Sequence, residues 1–203
     1  MNISSLIMFD EFERYIRQYE PGLTREQMQL IRSKSVLKKV RRRQVLLHEG
    51  EVCQHKIFVL RGLLRTYGTA NDGSEYVMKF TPEYEWITDP DSYFNRTPSE
   101  LNIDAIEASD VVLWSHDDFE ALRTVIPEIN TLSEKLITQN MGVTQKRILL
   151  NISANAEEKY QYFIATYPDI LRRVPLHMVA SYLGVSRETL TRIRQGQAVA
   201  AKS

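Results

Sequence analysis

The sharpest hydrophobic pattern in the chain lies in LHMVASYLGVSRETLTRIR, residues 176–194, whose apolar positions are Val179, Leu183, Val185, Leu190 and Ile193. This spacing fits two short helices packed across a turn better than one continuous helix. Gly184 marks the turn, because it alone here tolerates positive φ, and the small Ala180 lets the helices approach at the elbow. Ser186 reads as the N-cap of the second helix, and Glu188 in its first turn suits the positive end of the dipole. With Leu190 and Ile193 turned inward, Arg187, Glu188, Thr191, Arg192 and Gln195 share the outward face.

Upstream, residues 36–116 carry short strand-like runs at 44–48, 56–60, 63–69, 75–80, 102–107 and 111–115. Asp72-Gly73 predicts a hairpin turn between two of them, and Gly50 and Gly62 further reversals. Many short strands suggest a barrel or jelly roll. From Pro127 the period becomes helical, with Ile129, Leu132, Leu136, Val143 and Leu150 recurring at threes, fours and sevens and Gln139 at one seam position. That stripe can pair with a second copy of the chain, pack on the strands of its own chain, or divide between the two. Residues 156–167 predict another helix ended by Pro168, packed beneath the two short helices, the first of which is expected to begin with Pro175.

Charge sharpens this picture. The chain is neutral overall, yet residues 171–203 hold Arg172, Arg173, Arg187, Arg192, Arg194 and Lys202 against Glu188 alone, a net of +5 that leaves −5 on the first 170. A basic end is the electrostatic footprint of a module that displaces counterions from DNA. On the outward face, Arg187 and Arg192 can each offer a planar fork to guanine, Glu188 can accept from cytosine N4, and Thr191 can meet a thymine methyl or a phosphate. Ser186 and the helix N-terminus suit a phosphate, and Arg172, Arg173 and Arg194 supply further phosphate contacts. A plain solvated amphipathic helix would explain the charges but neither the elbow nor the spacing. A second basic run, Lys38 to Arg43, reads as a solvated strand edge, with a further DNA-contacting patch as the alternative.

GVSRETLTRIR resembles the recognition helix of the Crp/Fnr family of cyclic-AMP-receptor-like bacterial regulators, approximately G-x-S-R-E-T-x-x-R, matched by Gly184, Ser186, Arg187, Glu188, Thr189 and Arg192. The resemblance implies that Arg187, Glu188 and Arg192 read bases. More loosely, HEGEVCQHKIFVLRGLLRTYGTANDGSEYVMKF resembles the cyclic-nucleotide-binding β-roll, with Gly50-Glu51 and Arg61-Gly62 near its turn glycines. The expected fold is α+β: a β-roll sensor over 1–126, a central dimerisation helix over 127–155 and a helix-turn-helix over 156–203. Nine residues follow Arg194, too few for the hairpin wing of many family members, so the wing is expected to be absent or the chain truncated, with the AVAAKS end disordered.

The resemblance fails where a nucleotide would be held. Nucleotide-binding members carry a Gly-Glu pair and then an Arg-Ser that holds the cyclic phosphate; here Thr88-Asp89 and Ser99-Glu100 stand at those places. A carboxylate repels a phosphate, and Arg96, beside Pro98, reads as a surface-loop arginine. The effector is therefore expected not to be cyclic AMP. Trp86, Tyr84, Tyr93 and Phe94 either line a pocket for another small molecule or serve packing.

Other chemistry is thinly represented. Cys53 is the single cysteine, which excludes an intrachain disulfide and a four-cysteine iron–sulfur cage; it reads as a buried structural thiol, a redox switch being the alternative. His48, His55, His116 and His177 are scattered without metal-ligand spacing, and no phosphate loop or nucleophile elbow occurs. No enzyme activity and no cofactor is expected. With no signal peptide and no membrane-length apolar run, the expected setting is cytoplasmic. The expected partners are double-stranded DNA, a second copy of the chain, RNA polymerase and an unidentified small-molecule effector, with no membrane. A regulatory module that uses the C-terminal helices for protein contacts is the competing reading.

Overall fold

The structure, a computed structural model, describes the backbone of residues 3–200 and the side chains of 8–197. The AVAAKS end, including Lys202, therefore lies largely outside the described residues. The chain packs as two compact units, Met1–Thr66 with Phe80–Thr138 and Tyr67–Lys79 with Gln139–Ser203.

The first unit begins with two helices that the reading of 36–116 as strands did not address, α1 (Ile3–Tyr19) and α2 (Arg25–Ser33). A reciprocal capping box starts α2: Thr24 Oγ1 accepts from the Gln27 N–H at 3.2 Å, and Gln27 Oε1 accepts from the Thr24 N–H at 2.7 Å. The strands follow as β1 (Val36–Val40), β2 (Val45–Leu47), β3 (His55–Arg61), β4 (Leu64–Thr69), β5 (Glu75–Thr81) and β6 (Trp86–Ile87). Helix α3 (Pro90–Asn95) falls between the predicted runs 75–80 and 102–107, before β7 (Asn102–Ala105) and β8 (Ser109–Ser115), and α4 (His116–Val125) follows at once. Two four-stranded sheets result, ordered β1-β8-β3-β6 and β2-β7-β4-β5.

Both faces of β3 and β8 are covered, which is why Ile57 to Leu60 form an unbroken apolar run rather than an alternation. Phe58, Leu60, Val112 and Trp114 join Phe9, Phe12 and Ile16 of α1 and Phe119 and Leu122 of α4 in one core. Ile57, Val59, Val111 and Leu113 point the other way, to Val40, Leu64, Ile87, Tyr93 and Ile103 inside the roll. Trp86 belongs to an aromatic cluster, with ring centroids 5.2 Å from Phe58 and 5.3 Å from Trp114, so it packs rather than lining a pocket. Cys53 is buried in the roll core, as expected of a structural thiol. At the predicted reversals Gly50, Gly62 and Gly73 all have positive φ, and at Gly62 a β-carbon would also collide with Ser109. The basic run starts on β1, at the edge of its sheet and paired to β8 from Val36↔Leu113 to Val40↔Ser109. Lys39 comes within 4.0 Å of the Asp110 carboxylate.

Helix α5 (Pro127–Ser153) is continuous, as its period predicted. Ile129 and Leu132 are buried in the core of the first unit and Leu136 packs against it, so the N-terminal part of the stripe serves its own chain. Further along, Val143 of the predicted stripe is exposed, and so are Ile137, Met141, Ile148, Leu149 and Ile152, Ile152 by 81%. At 100° per residue Ile137, Met141, Ile148 and Ile152 fall within an arc of about 60°.

In the second unit α6 (Ala156–Thr166) is started by Asn155, whose side chain accepts from the Glu157 and Glu158 N–H groups, while Glu158 answers to the Asn155 N–H at 2.8 Å. A short α7 (Ile170–Arg173), α8 (Leu176–Leu183) and α9 (Arg187–Ala200) complete the chain. Phe163 of α6 meets Tyr182 of α8 at 5.4 Å between ring centroids, beneath the two short helices as predicted. The hairpin turn around Gly73 belongs to this unit. Ser181 Oγ accepts from the Val77 N–H and donates to the Glu75 carbonyl, both at 2.9 Å. Arg147 donates to the carbonyls of Met78 and Tyr182, with its guanidinium 4.0 Å from the Tyr182 ring centroid.

Candidate nucleic-acid interface

The turn between α8 and α9 is built as its residues require. Gly184 takes the left-handed conformation, φ 65°. Its N–H donates to the Ser181 carbonyl at 3.1 Å and the Val185 N–H to the Ala180 carbonyl at 3.1 Å. This reciprocal pair satisfies carbonyls that the end of a helix leaves open. Val179, Ala180, Leu183 and Leu190 are buried in the elbow, with Val185 and Ile193 half-buried beside them. One residue shifts from expectation: Pro175 is the N-cap of α8, φ −60° and ψ 144°, so the helix begins at Leu176. The extended ψ places Pro175 just outside the first turn, where its missing N–H still costs nothing.

Ser186 caps α9, its Oγ accepting from the Thr189 N–H at 3.1 Å and donating to Thr189 Oγ1 at 3.1 Å. Hydrogen bonding to its own backbone N–H and to the nearby Ser186 hydroxyl holds the pKa of Glu188 below the ordinary glutamate value. It is thus an anionic acceptor at the start of the helix. Arg187, Glu188, Arg192, Arg194 and Gln195 are exposed, so the predicted face is open. Thr191 is half-buried, and its hydroxyl donates to the Arg187 carbonyl at 2.8 Å. Its proton is therefore committed within the helix, leaving the methyl as its outward group.

The flanking arginines differ. Arg172 is exposed but paired with Asp169 at 2.7 Å, a carboxylate just upstream of the residues counted as the basic end. Arg173 is half-buried. Arg192 lines a cleft of about 400 Å³ with Asn155, Ala156 and Glu157 from the start of α6, so it borders a second surface as well as the α9 face. Sequence reasoning did not find the α6 border, since its only signal was a capping asparagine followed by two glutamates.

In the first unit, the residues standing where a nucleotide would be clamped do meet. Ser99 Oγ donates to Asp89 Oδ2 at 2.6 Å, with Asp89 6% and Ser99 3% exposed. The Leu101 N–H donates to the same Ser99 oxygen at 3.0 Å. Arg96 is exposed in a left-handed turn, φ 59°. Tyr93 is fully buried in the roll core, whereas Phe94 and Tyr84 remain near half exposed. The ammonium of Lys56 lies 4.4 Å from the Tyr93 ring centroid and 4.7 Å from that of Phe94, and burial pulls its pKa down to about 8. Among the described residues no group of three or more His, Cys, Asp or Glu could hold a metal ion, and no helix is long and apolar enough to cross a membrane.

Residues 37–124 match the cyclic nucleotide-binding domain family. No curated protein matches the chain. Among solved structures it resembles FixK2 from Bradyrhizobium japonicum, 16% identical with a TM-score of 0.72 over 82% of this chain and 86% of that one. It also resembles the c-di-GMP responsive global regulator CLP from Xanthomonas campestris, 12% identical with a TM-score of 0.73 over 88% and 93%. A protein of Eubacterium rectale assigned to the crp/fnr family of transcriptional regulators matches with a TM-score of 0.69 at 16% identity, over 89% and 86%. At these identities the likeness is one of fold, and it extends across most of each chain. The chain is thus Crp/Fnr-like in fold, and residues 37–124 are similar to the cyclic nucleotide-binding domain.

Proposed function

We propose that this protein is a sequence-specific DNA-binding transcription regulator that acts as a homodimer and whose effector is not cyclic AMP. The observation that carries the reading is α9: a capped helix, set at an angle by a glycine turn, with Arg187, Glu188 and Arg192 free of the core on one face. Residues 1–126 are the sensor, 127–155 the dimerisation helix and 156–203 the DNA-binding part. The exposed stripe of Ile137, Met141, Ile148 and Ile152 supports pairing of α5 with its twin. A two-fold dimer presents two copies of α9 to half-sites about 34 Å apart, hence a pseudo-palindromic operator. Arg187 and Arg192 discriminate bases by about 1–3 kcal/mol each, while Arg173 and Arg194 contact phosphates and set the salt dependence. Arg172 gives up its bond to Asp169 before it can join them.

The expectation about cyclic AMP gains support from the roll itself. Its interior is filled by side chains including Leu64, Tyr93 and Ile103, and Asp89 and Ser99 satisfy one another where a cyclic phosphate would need cations. The test of the whole reading is fluorescence anisotropy against a random-site DNA library at two salt concentrations, wild type beside the Arg187→Ala, Arg192→Ala double mutant. Selection of a palindrome by wild type alone is the expected result. Equal site preference in the two proteins contradicts the assignment of α9, and binding by neither points to protein contacts as the role of these helices.

A further inference from the structure

Between α1 and α2 lies a cleft of about 350 Å³, outside the residues that match the nucleotide-binding family. Phe9 and Met28, each almost fully buried, form its floor. Its walls carry Arg17, Arg25 and Arg32 against one carboxylate, Glu13. That carboxylate is engaged by Arg17 Nε at 2.8 Å, and Arg17 also donates to the Leu23 carbonyl at 2.6 Å. The guanidinium of Arg32 lies 5.1 Å from the Phe9 ring centroid, with the Asp10 carboxylate 3.9 Å away, beyond hydrogen-bond reach. Arg25 and Gln29, also on the wall, are exposed and make no side-chain hydrogen bond or ion pair with a described residue.

The guanidinium forks of Arg25 and Arg32 and the amide of Gln29 thus border one recess; Arg32 shares its charge with Asp10 at 3.9 Å and Arg25 with Glu26, but none of the three side chains spends an N–H in a hydrogen bond to a described residue. We propose that this cleft binds a phosphate-bearing small anion. A phosphoryl group offers three acceptor oxygens to donors that outnumber what a single carboxylate can accept, and the planar forks match its geometry. The volume suits a phosphate with a compact organic body, not a peptide laid across two helices. Because Arg32 is already stacked on Phe9, its fork is held in place before a ligand arrives. The site is independent of α9, so a bound phosphate compound would report to the sensor unit rather than to the DNA face.

Isothermal titration with inorganic pyrophosphate at low ionic strength tests this. The proteins compared are wild type, Arg25→Glu and Arg187→Ala/Arg192→Ala. Arg25 is exposed and unbonded, so the substitution leaves the fold intact, which circular dichroism checks. The expected result is that pyrophosphate binds wild type and the α9 variant alike and binds Arg25→Glu at least about tenfold more weakly. Absence of binding to wild type, unchanged affinity in Arg25→Glu, or loss confined to the α9 variant each overturns the proposal; the first two leave DNA recognition by α9 untouched, and the third places the anion on α9 instead.

Discussion

The Ser99 hydroxyl donates a hydrogen bond to the Asp89 carboxylate across 2.6 Å, and the pair is shut away from solvent. A serine and an aspartate that satisfy each other leave neither a cation nor a free donor for a cyclic phosphate. Cyclic AMP at millimolar concentration is expected to leave the melting temperature unchanged and to give no heat on titration; micromolar binding would sink the idea. In Ser99→Ala the buried Asp89 loses this hydrogen bond, which should cost about 1–3 kcal/mol in denaturant unfolding.

Gly184 at φ 65° holds the elbow. A β-branched residue is strained there by about 1–3 kcal/mol. Gly184→Val should lower stability by that amount and reduce DNA affinity, whereas Gly184→Asn, which tolerates the left-handed region, should cost less on both counts. Equal losses in thermal unfolding for the two variants would show that something other than backbone conformation limits the site.

The exposed isoleucines of α5 give a direct test of assembly. Ile148→Asp with Ile152→Asp should convert a dimer to a monomer in sedimentation velocity while leaving the monomer folded, since both side chains already face water in the single chain. An unchanged sedimentation coefficient would place the dimer contact elsewhere.

Lys56 predicts an alkaline signature. Its folded pKa of about 8 lies below the ordinary lysine value of 10.5, with burial the main cause. The folded protein therefore releases this proton before the unfolded chain does, so Lys56 destabilises the fold fully below pH 8 and less as pH rises toward 10. The faces of Tyr93 and Phe94 return part of that cost. Lys56→Met should accordingly stabilise by about 1 kcal/mol at pH 7, with the gain shrinking between pH 8 and 10. A gain independent of pH would assign it to packing alone.

How much of this was readable before the structure varies with the range of the interactions involved. The elbow was legible almost to the residue, because Gly184, Ser186 and Leu190 act through local backbone geometry and a 3.6-residue period. Pro175 slipped by one position, since a proline is equally at ease at the cap and in the first turn. Of the stripe Ile129, Leu132, Leu136, Val143 and Leu150, the first three pack on their own chain and Val143 is exposed, while Ile137, Met141, Ile148 and Ile152 add an exposed face the period did not single out; a helix apolar on several sides does not announce which side its own chain will cover. Helices α1 and α2 had a signal that went unused, Phe9, Phe12 and Ile16 and then Met28 and Ile31 at helical spacing, all of them buried. The meeting of Asp89 with Ser99 was foreseeable only as a substitution within a motif. Their hydrogen bond depends on how the loop around α3 closes, which no local pattern encodes. The pairing of Arg172 with Asp169 had a plain signal, an i,i+3 spacing of opposite charges, that counting charge from 171 onward cut in two.

Strand β5 ends its sheet, yet its backbone is not left open. Ser181 occupies the Val77 N–H and the Glu75 carbonyl, and Arg147 occupies the Met78 carbonyl. Side chains from helices here do what a neighbouring strand would otherwise do, and so block the edge against pairing with foreign chains. The β-roll expressed alone, cut before residue 139, would lose both plugs. Its solubility would then depend on how fast two such edges find each other, making the helices guardians against aggregation as well as candidates for reading DNA.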